Sequence, residues 1–141
     1  MIKIVLDTNV LVSALISPKG PPGRILDKLA ESSIQPILSP AIIAEYEDVL
    51  SRKKFGLSPA TADAIMRNLR KLAVEVVPSE SFHVCSDPDD DIFIDCAIAA
   101  GALYLVSGNL KHFPKLFEKV RIVSPAAFLR EVTGRITPPE A

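Results

Sequence analysis

Nowhere in this chain do apolar side chains run on for the roughly 18 consecutive positions that a membrane-spanning helix requires, so no membrane association is expected. Cysteine is scarce. Cys85 and Cys96 could pair, but two are too few for a disulfide framework, and Cys96 lies in an apolar run that suits a small core residue. A reducing, cytoplasmic setting is the expectation. An excess of either charge is also missing. The net charge of −1 argues against broad, charge-driven nucleic-acid binding, which shows as a strongly basic domain. It leaves room for a nucleic-acid enzyme, because an acidic centre loaded with divalent cations carries less negative charge than its formal count. His83 and His112 are the only histidines, and neither G-x-S-x-G nor a cysteine–histidine signature occurs. Walker and Gly-rich dinucleotide loops are absent as well. The run Asp87 to Asp91 lacks the glycine and the later glutamate of a calcium loop. No repeat or low-complexity tract appears.

What is present is a globular composition, 48 % hydrophobic and 23 % charged over 141 residues, enough to bury a substantial core. The opening MIKIVLDTNV reaches an acid at position 7 and reads as a first strand, not a signal peptide. Five short segments rich in branched residues follow one another: IKIVL (2–6), IQPIL (34–38), VEVV (74–77), LYLV (103–106) and RIV (121–123). Helical stretches lie between them. Ser39-Pro40, Ser58-Pro59 and Ser124-Pro125 each offer a serine N-cap and a proline at the first helical position, and Gly101 offers a C-cap. Alternation of strands and helices predicts an α/β fold of three layers, α/β/α, with a mainly parallel sheet of about five strands. One domain over 1–135 and a short, frayed tail over 136–141 complete the expected organisation.

The acids raise the functional question. Asp7 directly follows the first strand, and in a parallel sheet the functional crevice lies beyond the carboxyl ends of the strands. Helix capping by Asp7 or Asn9 is the simpler use of that position, and both can hold. In DPDDDIFIDCAIAAG (87–101), Asp87 can cap the helix while Asp89 and Asp90 suit its positive N-terminus. Asp95 sits deeper, among Ile92, Phe93, Ile94, Cys96, Ala97 and Ile98, where an unpaired carboxylate is costly. Asp91 and Asp95, four apart, share one helix face and repel by about 0.2–0.5 kcal/mol even when exposed. A divalent cation would relieve both costs; a narrow solvent-exposed strip carrying both acids would do so too. A hard cation takes several oxygen ligands, and Glu45, Glu47 and Asp48 in the segment 41–52 are available. Glu45 and Glu47 flank its apolar stripe on opposite sides, so periodicity does not choose between them.

Together these residues resemble the PIN-domain family. VLDTNVLVSAL (5–15) is similar to its opening strand and Asp-Thr-Asn turn, SPAIIAEYEDVLSRKKF (39–55) to its glutamate-bearing helix, and DPDDDIFIDCAIAAGALYLVSGN (87–109) to its third block. The resemblance spans nearly the whole chain and extends to prokaryotic PIN toxins of toxin–antitoxin pairs. It implies metal-dependent hydrolysis of single-stranded RNA, leaving a 5′-phosphate and a 3′-hydroxyl. One or two Mg²⁺ or Mn²⁺ ions, a small antitoxin partner and a homodimer are further implications. The site residues it implies are Asp7, Glu45 and Asp95, with Asp91 one turn earlier. Thr8, Asn9 and Ser107 would be the supporting polar residues. Asn109 stands where the family carries a fourth acid; as a metal ligand it keeps an oxygen but loses a charge, so a second ion would be held less well. Lys19, Arg52 and Lys53 are candidates for the RNA backbone. Two rivals follow from the same residues: a catalytically silent PIN-fold binding module, favoured by Asn109, and an aspartyl-phosphate phosphotransfer domain, disfavoured because Asn9 stands where a second carboxylate is needed.

Overall fold

Branched residues open the chain as β1 (Ile2–Leu6), which leads into α1 (Thr8–Ile16) and α2 (Pro21–Leu29). Then come β2 (Ile34–Leu38), α3 (Pro40–Leu50), α4 (Pro59–Leu72) and the two-residue β3 (Val74–Glu75). After a long extended stretch and a 3₁₀ turn at Pro88–Asp90 come α5 (Asp91–Ala100) and β4 (Tyr104–Val106). A hairpin of β5 (Leu116–Phe117) and β6 (Val120–Val123) precedes α6 (Pro125–Ile136). This computed structural model describes residues 1–31 and 33–136. The expected frayed tail lies outside the described residues from position 137, while Ile136, assigned to it, is the last residue of α6.

The local signals in the sequence act as expected. Ser39, Ser58 and Ser124 each accept a hydrogen bond from the backbone N–H three residues on, at 3.1–3.2 Å. Gly101 ends α5 at φ 66°, in the left-handed region where a side chain is disfavoured.

The sheet has six strands in the order β3-β2-β1-β4-β6-β5, parallel except for the final β5–β6 pair. Five strands were expected; β5 is the addition. Ile4, Val5 and Leu6 are buried in succession, so β1 is covered on both faces, as a central parallel strand must be. Right-handed crossovers carry the chain from β1 outward to β2 and β3, then back past β1 to β4. That return crossover contains α5, which packs across β1, β2 and β4. The strand order reverses between β1 and β4, so the crevice of this sheet opens beyond their carboxyl ends.

Candidate functional site

Asp7 leaves β1 at that crevice with 5 % of its surface exposed. It occupies the N-cap position of α1, yet its side chain makes no capping hydrogen bond. Its Oδ2 instead accepts from Ser107 Oγ, at the end of β4, at 2.7 Å and from Asn9 Nδ2 at 3.2 Å. Both donors are themselves fixed. Ser107 is fully buried and its Oγ accepts from the Asn109 N–H at 2.9 Å, while Asn9 Oδ1 accepts from the Gly108 N–H at 3.1 Å. The Asp-Thr-Asn turn and the Ser-Gly-Asn turn thus hold one another across the switch point. Thr8 completes the turn by donating from Oγ1 to Glu45 Oε2 at 3.0 Å. Tyr46 on α3 donates its hydroxyl to the Leu6 carbonyl at 2.5 Å, tying that helix to the end of β1.

The choice the sequence left open between two glutamates is made here. Glu45 is half-buried against Thr8, whereas Glu47 is exposed and faces Asp63, Met66 and Arg67 of α4.

Burial pushes the Asp7 carboxyl above its ordinary value; the Ser107 hydrogen bond and the amides of Asn9 and Thr8 oppose that rise, and the charge of Glu45 adds to it. Asp90 belongs to the same field. Burial, and after it the charges of Asp7 and Asp87, raise it to about 6 against the opposing pull of His112. Its Oδ2 lies 3.4 Å from His112 Nδ1. At the crevice Asp7 thus feels the charge of Glu45, and Asp90 feels those of Asp7 and Asp87.

Asp91 and Asp95 are placed elsewhere. Asp91 Oδ1 accepts the backbone N–H groups of Val84 and Cys85 at 3.2 and 2.9 Å, and its Oδ2 lies 3.9 Å from His83 Nδ1. Asp95 Oδ1 accepts the Phe82 N–H at 2.8 Å, in a small hollow with Ser39, Ala41, Val77 and Ile92. The two do share a helix face, but that face is covered by the extended segment before the 3₁₀ turn, whose amides need acceptors. The structure gives Asp95 and Asp91 acceptor roles in that covering, where the sequence reading had placed them at the shared cation. Asp90, one position earlier and about 100° round the helix, turns to the crevice. The sequence reading had absorbed Asp90 as a dipole-matching acid, and His112 carried no signal of its own.

Among the other expected residues, Asn109 is exposed and its main chain, not its side chain, contacts Ser107. Lys19, Arg52 and Lys53 are all exposed. Arg52 is paired with Asp48 at 3.0 Å on the surface, a weak bond that a phosphate could displace. It lies two residues past the end of α3, seven positions beyond Glu45.

The donors of Asp7, Glu45 and Asp90 are all carboxylate oxygens, the set a hard divalent cation prefers, and their mutual repulsion fits such a guest. Among the described residues no three His, Cys, Asp or Glu side chains already stand at metal-holding distances, so uptake needs the partly exposed Glu45 and Asp90 to close in. No described helix is long and apolar enough to cross a membrane.

Comparisons with known proteins agree with this architecture. The family model described as PIN domain matches residues 3–111. An uncharacterized protein of Methanocaldococcus jannaschii is 36 % identical over 111 residues, covering 77 % of this chain and 71 % of that one. A crystal structure of VapBC2 from Rickettsia felis, bound to a DNA fragment from their promoter, superposes with a TM-score of 0.56 at 18 % identity, over 86 % of this chain and 98 % of that one. At that identity the likeness is one of fold.

Proposed function

The chain belongs to the PIN-domain family, and on that premise we propose that it is a divalent-metal-dependent endoribonuclease that hydrolyses single-stranded RNA as the toxin of a toxin–antitoxin pair. The observation that carries this reading is the placement of Asp7 at the switch point of the sheet, held by Ser107 and Asn9, with Glu45 bound to the adjoining Thr8 and Asp90 within the field of Asp7. Carboxylates gathered at one crevice, with no lysine or arginine paired to them among the described residues, suit a cation and a phosphodiester more than they suit proton transfer alone.

Asp7, Glu45 and Asp90 would hold Mg²⁺ or Mn²⁺. The ion supplies Lewis acidity, activating a water and offsetting phosphate charge. The protein's part is orientation. Ser107 and Asn9 hold Oδ2 of Asp7 and so fix the turn of its carboxylate, while Thr8 fixes the rotation of Glu45. Asp91 and Asp95 are left out of this set because each accepts backbone N–H groups of the segment that covers their helix face. Arg52, Lys53 and Lys19 would meet the RNA backbone beyond the crevice. The promoter-DNA complex of the Rickettsia felis VapBC2 supports looking for a small partner protein here as well.

The test is cleavage of single-stranded RNA with Mn²⁺, with EDTA, and by Asp7→Asn. Cleavage is expected only from the wild type with metal. An Asp7→Asn protein that cleaves at the wild-type rate under matched metal would overturn the assignment. Asn109 favours a second reading, a silent binding module of the same fold; a folded wild type that neither binds Mn²⁺ nor cleaves would establish that one.

A further inference from the structure

Each acid at the crevice has its own polar partner: Ser107 and Asn9 for Asp7, Thr8 for Glu45, and His112 for Asp90. Ser107 and Thr8 make the first two pairings from just past the ends of β4 and β1, 100 and 37 positions from their acids. The third spans 22 positions of sequence, and the molecule fastens it from two sides. The His112 carbonyl accepts from Ser86 N–H at 3.1 Å and from Ser86 Oγ at 3.4 Å, which brings the 3₁₀ turn Leu110–His112 against the start of the acidic segment. The His112 N–H returns to the Asn109 carbonyl at 3.0 Å, and the neighbouring Phe113 is buried as an anchor. Asp90 has no other side-chain partner among the described residues, and it caps nothing.

We propose that His112 is a positioning residue for the metal site, its Nδ1–H holding the Asp90 carboxylate in the orientation that faces Asp7. This rests on the reading that Asp90 binds the ion. A ligand carboxylate that is free to rotate gives up affinity when the ion fixes it, and an outer hydrogen bond made beforehand removes that cost. Loss of such partners lowers metal affinity by about 10–100-fold in metal proteins generally. The role needs a donor at the Nδ1 position, not a ring and not a charge. Asparagine places its Nδ2 at nearly the same distance from the backbone, whereas phenylalanine keeps the ring and removes the donor.

The experiment is calorimetric titration of the full chain with Mn²⁺ for the wild type, His112→Ala, His112→Phe, His112→Asn and Asp90→Asn, with melting in EDTA recorded for each. His112→Ala and His112→Phe are expected to bind Mn²⁺ about 10–100-fold more weakly, and His112→Asn to recover most of the loss, with no matching order in the EDTA melting temperatures. If the alanine and phenylalanine variants bind like the wild type while Asp90→Asn does not, the positioning role falls and the metal site stands. Equal weakening in all three His112 variants would mean that the residue serves only to pack the turn, and overturns the proposal. A wild type that binds no Mn²⁺ at millimolar concentration would overturn the metal site and the positioning role together. Should His112→Phe fail to fold, the alanine and asparagine variants decide the matter.

Discussion

Asp90 and Asp95 lie within a turn and a half of each other, and neutralising them should have opposite consequences for function. Asp95→Asn keeps an oxygen to accept from the Phe82 N–H and removes a charge that burial disfavours. It is expected to bind Mn²⁺ like the wild type and to melt in EDTA at the same temperature or higher. Asp90→Asn removes a ligand of the proposed cation, so its Mn²⁺ affinity should collapse. Its metal-free stability should move the other way. Burial and Asp7 raise the native Asp90 from 3.8 to about 6, so between those values the native state binds more protons than the unfolded chain. Stability from this group therefore falls as pH rises through about 6, and the penalty is complete above it. Melting curves in EDTA should place Asp90→Asn above the wild type at pH 7.5 and level with it at pH 4. A wild type that melts as high as Asp90→Asn or higher at pH 7.5 would show that Asp90 is not buried beside other acids. The sequence could not separate these two residues. Spacing of four correctly places Asp91 and Asp95 on one face, but what covers that face is a segment whose path depends on the whole chain.

Elements whose signals are local were legible, and those that depend on distant partners were not. Three serine caps and the Gly101 terminus are decided within four residues of chain, and all four are found. The β5–β6 hairpin was missed because its turn carries no glycine or asparagine; Glu118 adopts φ 54° there, a conformation that such residues usually signal. Tyr46 was readable as part of the apolar stripe of α3, but not its hydroxyl, which reaches the last carbonyl of β1. That bond aligns α3, and so Glu45, with the residue before Asp7. Tyr46→Phe leaves the Leu6 carbonyl buried without this donor and is expected to cost about 1–3 kcal/mol in urea unfolding. It should also weaken Mn²⁺ binding, a double effect that a core tyrosine remote from the site would not show. The turn between α1 and α2 is equally constrained. A Cβ on Gly23 would lie 1.9 Å from the Pro18 carbonyl oxygen, a backbone atom that cannot step aside. Gly23→Ala should therefore destabilise by about 1–3 kcal/mol, as overpacking does, measured by the same unfolding curves.

At the scale of the molecule, the three-layer fold was legible because alternation of strand and helix leaves few topologies open, and Asp7 was legible because it ends the strand at which the order reverses. This placement also couples the site to global stability. Asp7, Glu45 and Asp90 arrive from β1, α3 and the start of α5, and these elements come together only in the folded chain. An ion held by all three has no comparable site in the unfolded state, so it must stabilise the fold by mass action. At a concentration 100 times its dissociation constant the gain is about 2.7 kcal/mol. For a chain near this size that corresponds to a rise in melting temperature of roughly 5–10 °C. The rise should be seen with Mn²⁺, be reversed by EDTA, and be absent from Asp7→Asn. If it persisted undiminished in Asp7→Asn, the ion would be bound away from the switch point, and the crevice between β1 and β4 would lose its claim to the chemistry.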